Sequence, residues 1–560
     1  MDAPFILSTM ARRGLLRPGR PGRVARQLDA LRRWGLSLAG EVRSAAARNP
    51  GRCAVVDERR SLTYRQLDEE CRRLAHGLRG EYGVGPDQRV GILCRNSAAM
   101  LAAMIAVGEL GADAVLLNTG VGPGQLEAVV QDQRVRVLVH DDEFFDLVGS
   151  VPPAVRRISA DGDARRPSLA ALIAGAPADD LAPPERPGRT IVLTSGTTGT
   201  PKGAQRPVPP GFGPLASLLS RIPVRAGERM FVAAPLFHTW GYAALQVALA
   251  VRGTAVLHRR FEPLPVLRTV VERDCGALFA VPVMLQRLLD VPPRSRPPKL
   301  PWRVVASSGS TLPGGLATRF MDAYGDALYN LYGSTETSHA TIATPAELRR
   351  DPSCAGRPPH GTRVVILHPD GRPLPPGHTG RIFVGNDMLF EGYTDGGGKE
   401  SYHGLLATGD LGHVTADGLL HVDGREDDMV ISGGENVYPS AVEDLLAALP
   451  QVREVAVAGV PDPEYGQRLT TWIVLHRGER LEPEAVREYV RRDLTRFSVP
   501  RDVFFIPELP RNATGKVMLR SLLGPVSSPP ASPAGSPAAA RGPAPGAVAG
   551  HGGRPGRNSR

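Results

Sequence analysis

Residues 194–204 read Thr-Ser-Gly-Thr-Thr-Gly-Thr-Pro-Lys-Gly-Ala, a run crowded with groups that bind phosphate. Gly196, Gly199 and Gly203 let the backbone approach a ligand closely and turn its N–H groups toward an anion. Thr194, Ser195, Thr197, Thr198 and Thr200 add hydroxyl donors, and Lys202 adds positive charge. The preceding Thr190-Ile191-Val192-Leu193 is β-branched and apolar, which predicts a buried strand feeding the loop. A surface linker has no need of such a strand. A Walker-type loop requires Gly-Lys followed by Ser or Thr, whereas Lys202 stands between Pro201 and Gly203. The chemistry indicated is the binding of a polyphosphate.

Further segments hold isolated groups with chemical potential. His238 lies in Pro235-Leu236-Phe237-His238-Thr239-Trp240-Gly241, where a packed core histidine is the simpler reading. Ser308-Gly309-Ser310-Thr311-Leu312-Pro313 follows a predicted strand. Leu331-Tyr332-Gly333-Ser334-Thr335-Glu336-Thr337 combines a ring that can stack, a hydroxyl that can bond phosphate and a carboxylate that can hold Mg²⁺. Asp410 ends Ala407-Thr408-Gly409-Asp410, and a carboxylate accepts two O–H bonds well. Arg425 and Asp427 lie in Gly424-Arg425-Glu426-Asp427-Asp428. Gly433 and Gly434 form a turn in Ile431-Ser432-Gly433-Gly434-Glu435-Asn436. Lys516 closes Leu509-Pro510-Arg511-Asn512-Ala513-Thr514-Gly515-Lys516, on a loop that reads as mobile.

In this order, these segments resemble the adenylate-forming (ANL) superfamily, and most nearly the bacterial fatty-acid–CoA ligases, over roughly residues 50–522. The resemblance implies that Thr194 to Lys202 bind the β and γ phosphates of ATP. It implies that Gly309, Ser310, Tyr332 and Gly333 lie against adenine, with Thr335 on phosphate and Glu336 on Mg²⁺. His238 is implied at the mouth of the acyl pocket, with Trp240 as a gate to a chain tunnel. Asp410 is implied on the ribose hydroxyls, and Arg425 on ribose and phosphate. Asp427 becomes a hinge, Gly433 and Gly434 line the path of pantetheine, and Lys516 serves adenylation. The implied reaction converts an acid to acyl-AMP and passes the acyl group to coenzyme A. The apolar stretches 241–249 and 280–285 favour a medium- or long-chain fatty acid; an adenylating enzyme that loads a carrier protein, or one that activates an aryl acid, is the alternative.

The implied fold is α/β: a large N-terminal domain of sheets layered with helices, and a small mobile α+β C-terminal domain. Alternating strand and helix patterns from Arg60 onward agree with it. The expected divisions are a basic extension 1–48, an AMP-binding domain 49–424, a lid domain 425–522 and a disordered tail 523–560. Residues 1–33 carry a net charge of +6 and residues 521–560 carry +4, which together equal the whole formal charge of +10. The body is therefore neutral, and no nucleic-acid partner is expected. Residues 1–24 read as mobile, and 24–48 as one amphipathic helix that packs on the body or touches a membrane surface. Five scattered cysteines without a CxxC fit reduced thiols in the cytoplasm, with peripheral contact at the inner membrane face as an option. Oligomeric state is not legible. Because the Pro/Ala/Gly/Ser tail has almost nothing to bury, deleting residues 525–560 is expected to leave turnover within about twofold, measured on full-length and truncated enzyme.

Overall fold

The computed structural model describes residues 3–162, 167–194, 201–432, 435–463 and 465–523. An eight-stranded sheet runs Ser338–Ala343, Leu328–Ser334, Val304–Ser307, Ala277–Ala280, Arg229–Val232, Thr254–Val256, Cys53–Val56, Ser61–Thr63 from edge to edge. Its two outermost pairings are antiparallel. Those between are parallel. A six-stranded sheet runs Arg156–Ser159, Val137–His140, Arg89–Leu93, Asp113–Leu116, Thr190–Thr194, Lys202–Arg206. It is parallel until the last pair, which is antiparallel. Short, apolar, fully buried strands such as Ala277–Ala280 are what a parallel sheet covered on both faces requires.

Parallel strands send all their C-terminal ends to one edge, where α/β proteins bind ligands. Three of the motif segments and part of the apolar stretch 280–285 leave the larger sheet there. Residues 233–238 follow Arg229–Val232, 281–282 follow Ala277–Ala280, 308–313 follow Val304–Ser307, and 335–337 follow Leu328–Ser334. The loop after Thr194 leaves the corresponding end of the second sheet.

Helices cover the sheets for local reasons. Tyr64–Tyr82 starts at a capping box, Thr63 with Gln66, and ends at Gly83 in the left-handed region. Ala98–Glu109 is apolar around nearly its whole circumference and is correspondingly buried. A third, antiparallel sheet contains Arg363–Leu367, Gly380–Gly385, Leu405–Val414, Ser401–Tyr402 and Leu420–Arg425. One 3₁₀ turn, Glu426–Asp428, then leads to Val430–Ser432, the first strand of the small C-terminal sheet. That sheet carries its own core of Val442, Leu446, Leu469, Ile473, Val486 and Val490. It docks on the large domain through Arg453 to Asp290 (2.8 Å) and Arg319 to the Ala447 carbonyl (3.3 Å). Among the described residues no helix is long and apolar enough to cross a membrane.

The N-terminal region departs from the expectation. Residues 1–24 are not simply a mobile leader: Ala3–Arg12 is helical, and Pro21–Trp34 is a second helix. The predicted single helix over 24–48 is broken at Gly35, whose φ of 65° lies in the left-handed region, and a third helix spans Leu38–Arg48. Leu38 through Ala45 are buried in the body, so this helix serves packing. The residues expected to form the tail from 524 onward lie outside the described residues.

Burial of Leu38–Arg48 encloses one carboxyl group. Glu41 is 5% exposed, and its Oε2 has no hydrogen-bond partner among the described residues. Burial holds its pKa well above its ordinary value of 4.5. Above that value the unfolded chain ionises this group freely while the folded chain resists, so stability falls as pH rises. Glu41→Gln is expected to stabilise the protein by on the order of 1–3 kcal/mol at pH 8, and by less at pH 5. Thermal unfolding at the two pH values checks this; an equal gain at both would be the wrong outcome.

Candidate functional site

The segment expected to bind phosphate is flanked by two paired strands. Thr190–Thr194 pairs antiparallel with Lys202–Arg206, bringing Thr194 opposite Lys202. The Thr194 hydroxyl donates to the Lys202 carbonyl (3.2 Å). Ser195, Gly196, Thr197, Thr198 and Gly199 lie outside the described residues, as do Gly433 and Gly434. Lys202 opens the return strand; its ammonium pairs with Asp395 (3.0 Å) and lies 5.5 Å from the Tyr393 ring centroid. The same strand is zipped to the segment 391–394 by backbone bonds, Gln205 N–H to Gly392, Glu391 N–H to Gln205 and Thr394 N–H to Gly203.

That zipper sets one wall of the carboxylate at Glu336. Tyr393 donates its hydroxyl to Glu336 Oε1 at 2.6 Å, and Phe390 N–H bonds the Glu336 carbonyl. Beside it, the hydroxyls of Thr335 and Thr239 lie 2.9 Å apart. Thr239 opens the helix Thr239–Ala250, whose N-cap is His238. His238 Nδ1 accepts from Trp240 N–H (3.4 Å), which requires that nitrogen unprotonated. Burial, and then the Lys516 charge, push the imidazole pKa down to about 4. Trp240 donates its indole N–H to the Ala280 carbonyl (2.9 Å) and tilts against Phe279. The expected gate is therefore a pinned wall. Gly309, at φ 95°, runs close to His238 and Val281, while Ser310 beside it is exposed. Gly333 is required by its close approach, because a Cβ there would meet the Ser338 carbonyl oxygen at 1.8 Å.

Tyr332 donates its hydroxyl to Asp410 Oδ2 (2.6 Å). Burial and the Asp410 charge raise the phenol pKa. Burial also raises Asp410, opposed by the Tyr332 hydrogen bond and the positive charges of Arg425, Lys399 and Lys516. Arg425 lies 3.6 Å from Asp410 Oδ1 and 3.7 Å from the exposed Asp427. Asp427 itself lies within the 3₁₀ turn that joins the two domains.

The loop of Lys516, expected to be mobile, is built. Asn512 Oδ1 accepts from Thr514 N–H (3.0 Å), the Thr514 hydroxyl (2.7 Å) and Lys516 N–H (3.0 Å). Arg511 bonds the Gly515 carbonyl and Glu454. Gly515, at φ 86°, sits so close to the large domain that a Cβ would lie 2.7 Å from Val283 Cγ1. A Cβ on Gly120 would lie 2.8 Å from that of Ala513. The loop is thus seated at the edge formed by 281–283. Lys516 keeps solvent contact, yet the protein crowding it and then the Arg425 charge lower its pKa, while Asp410 and Glu336 oppose that shift. One cleft accordingly gathers Lys516, Arg425, Asp410, Tyr332, Glu336, Thr335 and His238. Tyr393 borders it and Arg206 lies buried behind it; neither carried a motif. For Arg206 a signal existed: β alternation gives it the same face as buried Ala204.

A model of the AMP-binding enzyme family matches residues 42–394, and one of the AMP-binding enzyme C-terminal domain matches 441–516. A feruloyl-CoA synthase from an Amycolatopsis species is 33% identical over 484 residues, covering 84% of this chain and 96% of that protein. The structure of amide bond synthetase McbA from Marinactinospora thermotolerans matches with a TM-score of 0.77 at 29% identity, covering 86% of this chain and 98% of that one. The o-succinylbenzoate CoA synthetase MenE from Bacillus subtilis, in complex with the acyl-adenylate intermediate OSB-AMP, matches with a TM-score of 0.74 at 28% identity, covering 86% and 97%. The chain belongs to the family of AMP-binding enzymes. Within it, the protein is an AMP-forming acid–CoA ligase.

The seat of the Lys516 loop is then open to test. Gly515→Ala cannot keep both φ 86° and the contact with Val283. Displacing the lysine by about an ångström should lower acyl-AMP formation about 100-fold. Thioester formation from supplied acyl-AMP should hold. Equal loss in both half-reactions would refute this account of the loop.

Proposed function

We propose that the protein ligates a compact aromatic carboxylic acid to coenzyme A through an acyl-AMP intermediate. The observation that carries the first half-reaction is the seating of the Lys516 loop beside His238, Asp410 and Glu336. A carboxylate resists attack by a thiol because its leaving group would be oxide; AMP removes that obstacle. The acid attacks the α-phosphorus and pyrophosphate leaves, a transfer governed by placement and charge neutralisation. We assign Lys516 to the α-phosphate and carboxylate oxygens, where an ammonium offsets charge as it shifts. We assign Asp410 to the ribose hydroxyls: its present bond from Tyr332 is the kind of O–H contact a ribose would offer. His238, uncharged and half-buried, orients the acid without competing with Lys516 for its charge.

Mg²⁺ fits Glu336, since Tyr393 engages one carboxylate oxygen and leaves the other for a cation. Among the described residues no group of three or more His, Cys, Asp or Glu could hold a metal unaided, so the ion would be shared with substrate phosphates. Bound there, it neutralises phosphate charge.

For the second half-reaction the lysine must withdraw to admit a thiol. The 3₁₀ turn at Asp427 is the narrowest connection between the domains and the hinge we propose. The division at 424 is proposed on the same grounds.

The choice of acid turns on the wall behind His238. The low charge of 241–249 and 280–285, from which a fatty acid was expected, reflects core packing: Tyr242, Ala244, Leu245, Val247, Ala248 and Leu249 are buried, and Tyr242 is tied by its hydroxyl to Thr190. Pinned Trp240 and Phe279 favour a short flat acid over an extended chain. The ferulate and o-succinylbenzoate named in the relatives are aromatic acids. Mass spectrometry of reactions with ATP, Mg²⁺, CoA and a panel of aryl, short- and long-chain acids tests this. We expect aryl-CoA products at kcat/KM at least tenfold above any fatty acid. A preference for C10–C18 acids would restore the fatty-acid reading, and acyl-AMP without thioester would point to a carrier protein as acceptor.

A further inference from the structure

Arg206 is a buried charge beside the site that the scheme above leaves unused. It ends the strand that returns from the phosphate-binding turn and is 6% exposed. Its Nη1 donates to the Thr335 carbonyl at 2.6 Å, and its Nη2 to the Ser338 hydroxyl at 3.1 Å. Its Nε is buried without a hydrogen-bond partner among the described residues. These partners are a carbonyl and a hydroxyl, so a full positive charge is held in the interior with no carboxylate in contact. Such an arrangement is costly unless the geometry it enforces is needed.

The two atoms it holds bracket Glu336. Thr335 precedes the carboxylate, and Ser338 closes the same turn. Ser338 adopts φ 60°, a left-handed conformation that a non-glycine residue keeps only when its surroundings impose it. The turn is further tied by Ser334 to Thr337 and by Glu336 N–H to Ser334. Burial lowers the Arg206 pKa, opposed by Tyr242 and then by the negative charge of Glu336, and burial and then the Arg206 charge keep the adjacent His339 neutral, with a pKa of about 4. The strand Lys202–Arg206 thereby reaches Glu336 from two sides, through Arg206 on its backbone turn and through the 391–394 zipper and Tyr393 on its carboxylate.

We infer that Arg206 is a positioning residue that locks the Thr335–Ser338 turn, so that the Glu336 oxygen not bonded by Tyr393 is held ready for a divalent cation in register with the strand Lys202–Arg206. This rests on the ligase reading for the cation's purpose, though not for its binding. Loss of an outer partner of a metal ligand typically weakens the metal 10- to 100-fold. Lysine keeps the charge and loses the two-point fork, so it should not substitute fully.

The test uses the full chain and Mn²⁺ as the probe, with free Mn²⁺ read by electron paramagnetic resonance in the presence of a non-hydrolysable ATP analogue. Arg206→Met is expected to raise the half-saturating Mn²⁺ concentration roughly 10- to 100-fold and Arg206→Lys by less. Ser338→Ala, which removes one of the two bonds while leaving the charge buried, should raise it about threefold. Thioester formation from supplied acyl-AMP should stay within about twofold of wild type in Arg206→Lys and Ser338→Ala. Unchanged Mn²⁺ binding in those two variants overturns the proposal, whether or not Arg206→Met folds. So does equal loss of both half-reactions, which would mark Arg206 as a fold residue only. Wild-type protein that binds Mn²⁺ and nucleotide but makes no acyl-AMP with any acid would refute the ligase reading and leave the clamp standing.

Discussion

The antiparallel return of the chain from Thr194 to Lys202 is the constraint on which the site depends. A parallel sheet ends in loops, and loops alone do not hold several ligand contacts in register. Here the last strand of the sheet turns back on its neighbour, and its backbone fixes a second segment, 391–394, along its other edge. Its side chains carry the constraint further, Lys202 to Asp395 and Arg206 to the Thr335–Ser338 turn. The candidate cation ligand Glu336 and the wall beside it are thereby referred to one element, the strand Lys202–Arg206.

Charge explains the rest of the cleft. Lys516 and Arg425 face Asp410 and Glu336, and each sign moderates the other. Burial, and then the Arg425 charge, lower the Lys516 pKa, and Asp410 and Glu336 only oppose that shift. A triphosphate entering such a cleft meets donors whose repulsion it relieves, which is favourable where the surroundings exclude water. His238 stays uncharged for the same reason, since burial and Lys516 both oppose its protonation.

Local pattern was informative where structure is local. The strand before the phosphate-binding turn and the helices beginning at Tyr64, Ala98, Pro439 and Pro483 follow from alternation, 3.6-residue periodicity and capping. The N-terminal 48 residues misled because composition registers arginine, glycine and proline and not the surface that receives them. Leu38–Arg48 is a helix buried by partners far along the chain, which include the helix Thr239–Ala250. The acyl wall misled in the reverse direction: an apolar run looks the same whether it lines a tunnel or fills a core, and Trp240 and Tyr242 are pinned by bonds to Ala280 and Thr190 that no run of residues reveals.

By itself the sequence determined the chemical groups, their order and the family they belong to, because each motif is a short stretch whose residue types answer to one backbone turn. Tertiary structure decided which of those groups meet. Tyr332 finds Asp410 across 78 residues, Glu336 finds Tyr393 across 57, and Arg206 finds Thr335 across 129. The seating of Gly515 against Val283 is equally non-local. Such contacts arise from the packing of whole sheets and domains, and the free energy that selects them is shared among many residues, none of which carries a signature of its partner.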